Sequence, residues 1–135
     1  MKIVLDTNIL LTIISSKSAN RVVFDYFLEE KFTLCFSNEI LEEYAEIIGH
    51  KMGADVAQTL VELLLEQPNV EYITRYFAWN LIQIDPDDNK FVDCAIACNA
   101  TYLVSQDRHF DILKQIPFPQ VQVLKIEDFL KVLIQ

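Results

Sequence analysis

Several things are scarce in this 135-residue chain, and each scarcity narrows the field. There is no apolar run near the roughly eighteen residues that a membrane helix needs. The longest candidates, "NILLTII" and "LVELLLE", are broken by polar residues and suit buried helices. No charged and apolar leader with a cleavage site precedes the first strand, since Met1 leads straight into "KIVL". A cytoplasmic protein is the expectation. Cysteine is sparse and odd in number: Cys35, Cys94 and Cys98. With no secretory leader, they read as buried free thiols rather than a disulfide framework. The only two glycines, Gly49 and Gly53, bracket the end of one expected helix. No repeat, low-complexity tract or linker divides the chain, so one domain over residues 1–135 is expected.

Positive charge is also short. Eleven basic residues against 20 acidic ones leave a net charge of −9. Loose polyanion binding, which needs a basic footprint, is therefore disfavoured. A nucleic-acid enzyme is not excluded, because divalent ions on a carboxylate cluster reverse the local sign. What the chain does have is apolar residues, 52% of the total, enough for a real core.

Those residues fall into short apolar strands alternating with helical periods. "KIVL", "FTLCF", "TYLVS" and "VQVLKI" read as strands. Helices are expected over about Ser18 to Glu30, from the Ser37 cap to about His50, over 54–66, from near Asp88, and at "EDFLKVLI". Residues 70–84 fit a strand, a short helix or both. The alternation predicts an α/β domain, a three-layer α/β/α sandwich with a mainly parallel twisted sheet. In such sheets ligands bind beyond the carboxyl ends of the strands, where the winding reverses.

Isolated acids stand at such places. Asp6 follows "IVL" and is the only charged residue between Lys2 and Lys17, and Asp107 follows "YLVSQ". Asp93 sits inside the apolar helix "FVDCAIAC", alone between Lys90 and Asp107. Buried carboxylates are costly unless paired, hydrogen-bonded or metal-bound. On the third helix, the stripe Ile40, Leu41, Tyr44, Ile47, Ile48 spans about 120° at roughly 100° per residue, and Glu43 lies roughly 40° off its edge. Glu42 lies nearly opposite and should face solvent. Asp6, Glu43, Asp93 and Asp107 thus form a candidate set of hard oxygen ligands suited to Mg²⁺ or Mn²⁺. Asn8, Ser37 and Ser105 are neutral groups close to these acids. The plainer reading of Asp6 or Asp107 is a helix cap, and that of Asp85, Asp87 and Asp88 is turn and cap chemistry. Asp93, in mid-helix, has no capping role.

The stretches "IVLDTNILL", "SNEILEEYAEII", "DPDDNKFVDCAIACNATYLVSQD" and the trailing "RHF", in this order over nearly the whole chain, resemble the PIN domain family. The likeness is nearest to the VapC-like toxins of prokaryotic toxin–antitoxin systems. It implies a doubly wound fold and an Mg²⁺- or Mn²⁺-dependent ribonuclease. Matched residue by residue, Asp6, Glu43, Asp93 and Asp107 would be the catalytic and metal-binding acids. Asn8, Ser105 and Asp88 would support them, Ser105 standing where the family often has Thr. The resemblance also implies an RNA substrate, an antitoxin partner and a homodimer, and Tyr72, Tyr76, Phe77 and Trp79 fit either such surfaces or core packing equally well. Arg108 and His109 are candidates for contacting phosphate, although His109 also reads as a surface residue without an acid–base partner.

Two other functions compete. A haloacid-dehalogenase-type phosphatase also opens on a strand and an aspartate, but needs a second acid two residues on, where this chain has Asn8. A non-catalytic PIN scaffold binding RNA or protein is the other.

Overall fold

The computed structural model describes residues 1–135. The chain runs β1 (Lys2–Leu5), α1 (Thr7–Ile14), α2 (Arg21–Leu28), β2 (Thr33–Ser37), α3 (Asn38–Met52), α4 (Ala54–Glu66) and β3 (Val70–Ile73). After an irregular passage and a 3₁₀ turn at Pro86–Asp88 come α5 (Asn89–Ala97) and β4 (Tyr102–Val104). A 3₁₀ segment at Arg108–Gln115, then β5 (Val123–Leu124) and α6 (Ile126–Leu133), complete the fold. No helix is long and apolar enough to cross a membrane.

All strand pairings are parallel, in the order β3-β2-β1-β4-β5. Consecutive residues Ile3, Val4 and Leu5 of β1 are all buried. Alternate side chains of a strand point to opposite faces, so both faces of the sheet are covered by helices. This is the expected α/β/α sandwich. The chain winds outward from β1 through β2 to β3, then crosses back to lay β4 on the other side of β1. The winding therefore reverses between β1 and β4, whose carboxyl ends are in register at Leu5 and Val104.

The core gathers 33 buried apolar residues. Tyr44, fully buried on α3, donates its hydroxyl to the Leu5 carbonyl at 2.5 Å. That bond pins α3 to the carboxyl end of β1 and so fixes where its neighbour Glu43 points. Ser37 caps α3 by accepting the Ile40 N–H at 3.3 Å. Gly53, at φ 100°, makes the corner between α3 and α4, a backbone conformation that favours glycine. The three cysteines are free and buried, as expected.

Residues 70–84 resolve into a four-residue strand and then chain with no regular ladder. Its backbone groups are met by side chains of α5 instead. Asn89 accepts the Ile82 N–H at 2.8 Å and donates to the Ile82 carbonyl at 2.9 Å. Asp93 accepts the Trp79 N–H at 3.1 Å. Asn89 and Asp93 are four apart, hence on one helical face. Together they clamp the irregular passage onto α5.

Candidate functional site

The switch point collects the acids. Asp6 immediately follows β1, and its N–H donates to the Val104 carbonyl at 3.1 Å, which locks it beside the end of β4. The residue is only 7% exposed. Asp6 stands at the start of α1, but its side chain makes no capping bond; the plain capping reading fails for it. Oδ2 instead accepts the Ser105 hydroxyl at 2.7 Å. Ser105 in turn accepts the Asp107 N–H at 2.9 Å, so one hydroxyl holds both strand-end acids in place. Asp107 does act as a cap, with Oδ1 accepting the His109 N–H at 2.9 Å.

Glu43 approaches from α3, where it is half-buried while Glu42 faces solvent, as the helical geometry required. One carboxylate oxygen, Oε2, accepts the Thr7 hydroxyl. The other, Oε1, lies 2.8 Å from Lys90 Nζ, which is also 2.8 Å from Asp87.

Asp88 comes from the turn before α5, and it does not cap that helix. The cap of the 3₁₀ turn is Asp85, which accepts the Asp87 N–H at 3.3 Å. The carboxylate of Asp88 lies 3.0 Å from His109 Nδ1, and the same nitrogen is 3.5 Å from Asp107 and 3.8 Å from Asp85. Asp85, Asp88 and His109 offer ligand atoms within 4.8 Å of one another.

Electrostatics agree with this grouping. Burial raises the pKa of Asp6, Ser105 offsets part of the effect, and the charges of Asp107 and Glu43 add to it. Burial likewise pushes Asp88 up to about 6, opposed by His109 and reinforced by Asp85, Asp107 and Asp6. His109 is raised, chiefly by its hydrogen bond to Asp88. Asp6 therefore feels the charges of Asp107 and Glu43, and Asp88 those of Asp6 and Asp107.

Asp93 is not brought to this cluster. Burial raises its pKa, the Trp79 N–H opposes that, and the acid acting on it is Glu39 rather than Asp6 or Asp107. Where the sequence led to an acid facing Asp6 and Asp107 across a metal, the carboxylate of Asp93 meets the Trp79 N–H at 3.1 Å, and the helix explains why. Five residues at roughly 100° each set Asp93 about 140° around from Asp88, on the side that meets the irregular passage. Among the supporting residues, Ser105 is central and Asp88 is a member of the cluster itself. Asn8 is exposed, and no hydrogen bond joins its side chain to the acids. Thr7, Lys90 and the acid partners of His109 escaped the sequence reading, because contacts such as Asp88 to His109 span 21 residues with no periodic signal.

The donor set fits a hard divalent cation. Asp6 is a nearly buried carboxylate with one side-chain hydrogen bond, repelled by two neighbouring acids and reached by no basic side chain. A cation beside it would relieve that repulsion.

A doubly wound parallel sheet carrying carboxylates at its switch point defines the class. A model of the PIN domain matches residues 2–109, and the chain belongs to the PIN domain family. That membership displaces the dehalogenase-type phosphatase reading. Among solved structures, the chain is similar to VapBC2 from Rickettsia felis bound to a DNA fragment from their promoter. They share 20% identity with a TM-score of 0.61, over 93% of this chain and 98% of that one. It is also similar to VapBC-1 from nontypeable Haemophilus influenzae (15%, TM-score 0.63, 94% and 99% covered). A third is DNA-bound VapBC from Salmonella typhimurium (18%, TM-score 0.60, 93% and 98% covered). At these identities the likeness is one of fold. No curated protein matches the chain.

Proposed function

We propose that the protein is an Mg²⁺- or Mn²⁺-dependent endoribonuclease, the toxin component of a toxin–antitoxin pair. One observation carries this reading: at the sheet's switch point Ser105 links Asp6 to Asp107, and His109 links Asp107 to Asp88, three acids from separate elements. Family membership supports it, since PIN domains are generally nucleases. A divalent ion held there would supply the charge that activates water and stabilises the in-line displacement at a phosphate. Asp6, Asp88 and Asp107 would hold it. Ser105 fixes the first and last of these in mutual register, and His109 orients Asp88. Water is the nucleophile in this reading, with no covalent intermediate on the protein. An antitoxin partner, an RNA substrate and pairing with a second copy belong to the same reading.

The test is metal-dependent cleavage of RNA by the wild type and by Asp6→Asn and Asp107→Asn. Each variant should lose more than the roughly 10–100-fold that changes outside a metal's immediate ligands cost, with an unchanged fold by circular dichroism. Cleavage that persists in Asp6→Asn sinks the assignment. A non-catalytic scaffold is the second reading, favoured by the way Lys90 and His109 already neutralise part of the cluster. Titration calorimetry with no uptake of Mg²⁺ or Mn²⁺, alongside tight binding of a partner, would establish it.

A further inference from the structure

Lys90 is the buried basic group of the site, and the nuclease reading does not use it. Its side chain is only 10% exposed, with Nζ 5.7 Å from the centroid of the buried Phe91 ring. A desolvated ammonium is tolerable only if its pairing is good. Here it has two partners from different elements, Glu43 Oε1 on α3 and Asp87 Oδ1 in the turn before α5, both at 2.8 Å. Thr7 takes the other oxygen of Glu43. Both oxygens of Glu43 are therefore engaged by side chains of this chain. Asp6, in contrast, has no cation of its own.

We propose that Lys90 is a built-in cation holding the place of a second divalent ion, so that the cluster takes one ion per chain, on the side of Asp6 and Asp107. This rests on the metal-dependent reading above and answers what that reading leaves open, the number of ions. Lys90 is a positioning residue: it holds Glu43 in place and neutralises it. Glu43 then acts through Lys90 and through the overall field of the site, not as a direct ligand.

The consequence is one of stoichiometry. Removing the ammonium leaves Glu43 and the solvent-exposed Asp87, each 2.8 Å from it, without their shared counter-charge. That vacancy suits a hard divalent ion with oxygen ligands. Calorimetric titration with Mn²⁺ alone should give one ion per wild-type chain, one for Lys90→Arg, and two for Lys90→Met. Manganese counted by electron paramagnetic resonance after gel filtration checks the ratio independently. A merely structural lysine would change stability in Lys90→Met without adding an ion. If Lys90→Met does not fold, Lys90→Gln takes its place, since it keeps an uncharged amide donor, and two ions are again expected.

Two ions on the wild type, or one on the charge-removing variant, overturns the proposal while leaving metal dependence intact. A wild-type chain that takes up no Mn²⁺ overturns the underlying reading and this one with it.

Discussion

Replacing Asp93 with alanine separates two roles for the acid in the middle of α5. In the structure Asp93 is 4% exposed, and its carboxylate meets the Trp79 N–H at 3.1 Å. Removing it strands that N–H, at a cost of about 1–3 kcal/mol. The loss is partly offset, because a carboxylate whose ionisation burial opposes is no longer held there. A net destabilisation of about 1–2 kcal/mol follows. At roughly 2 cal/mol/K of unfolding entropy per residue, a chain of this size loses about 3.5 °C per kcal/mol, so Tm should fall by about 4–7 °C. The chain has one tryptophan, Trp79 itself, so its emission reports directly on release of the clamped passage and should shift to the red. Asp93→Asn keeps an acceptor and should cost less than about 1 kcal/mol. Neither change should alter the number of Mn²⁺ ions bound. The reasoning is refuted if Asp93→Asn abolishes Mn²⁺ uptake while Tm stays level or rises, since a metal ligand, and not a clamp, behaves that way.

Two further expectations concern pH and the anchoring of α3. Asp88 has a folded pKa of about 6 against an ordinary 3.8, so its contribution to stability is fully present below about 3.8 and is lost as pH rises through about 6. His109, also raised in the fold, has the same sign: its contribution is present below its ordinary value and lost as pH rises through the folded one. For the metal-free protein, Tm of the wild type relative to Asp88→Asn should therefore fall between about pH 4 and pH 7. Mn²⁺ affinity should weaken as pH drops through about 6, as Asp88 takes up a proton. A wild-type-to-variant difference that does not change with pH contradicts this. Tyr44→Phe removes the hydroxyl that pins α3 to Leu5. It should cost about 1–2 kcal/mol in a denaturant melt and weaken Mn²⁺ binding without changing its stoichiometry.

The parts of the site that could be read in advance are those governed by local rules. Asp6 and Asp107 stand where a parallel sheet puts its ligands, and one charged residue in an apolar strand-end stands out. Glu43 was separable from Glu42 by helical angle alone. The choice between Asp88 and Asp93 was not readable in this way. Isolation in an apolar helix shows that a carboxylate is buried with a purpose, but not which neighbour it meets. The neighbour of Asp93 is an irregular passage with no period to reveal it, stitched down by the very side chains in question. Lys90 and the pairing of His109 with acids were hidden for a related reason. Each residue stands in a hydrophilic stretch that reads as a solvated turn until the fold brings α3 against Lys90 and the turn before α5 against His109.

The hydroxyl of Ser105 reaches back 99 residues to Asp6. During synthesis Asp6 leaves the ribosome 99 residues ahead of Ser105, and four of the five strands have been made by the time that partner follows. A nascent or truncated chain ending before β4 carries Asp6 and Glu43 but lacks the hydroxyl and the carboxylate that complete the cluster. The central position of β1 thus defers assembly of the site until translation has passed β4.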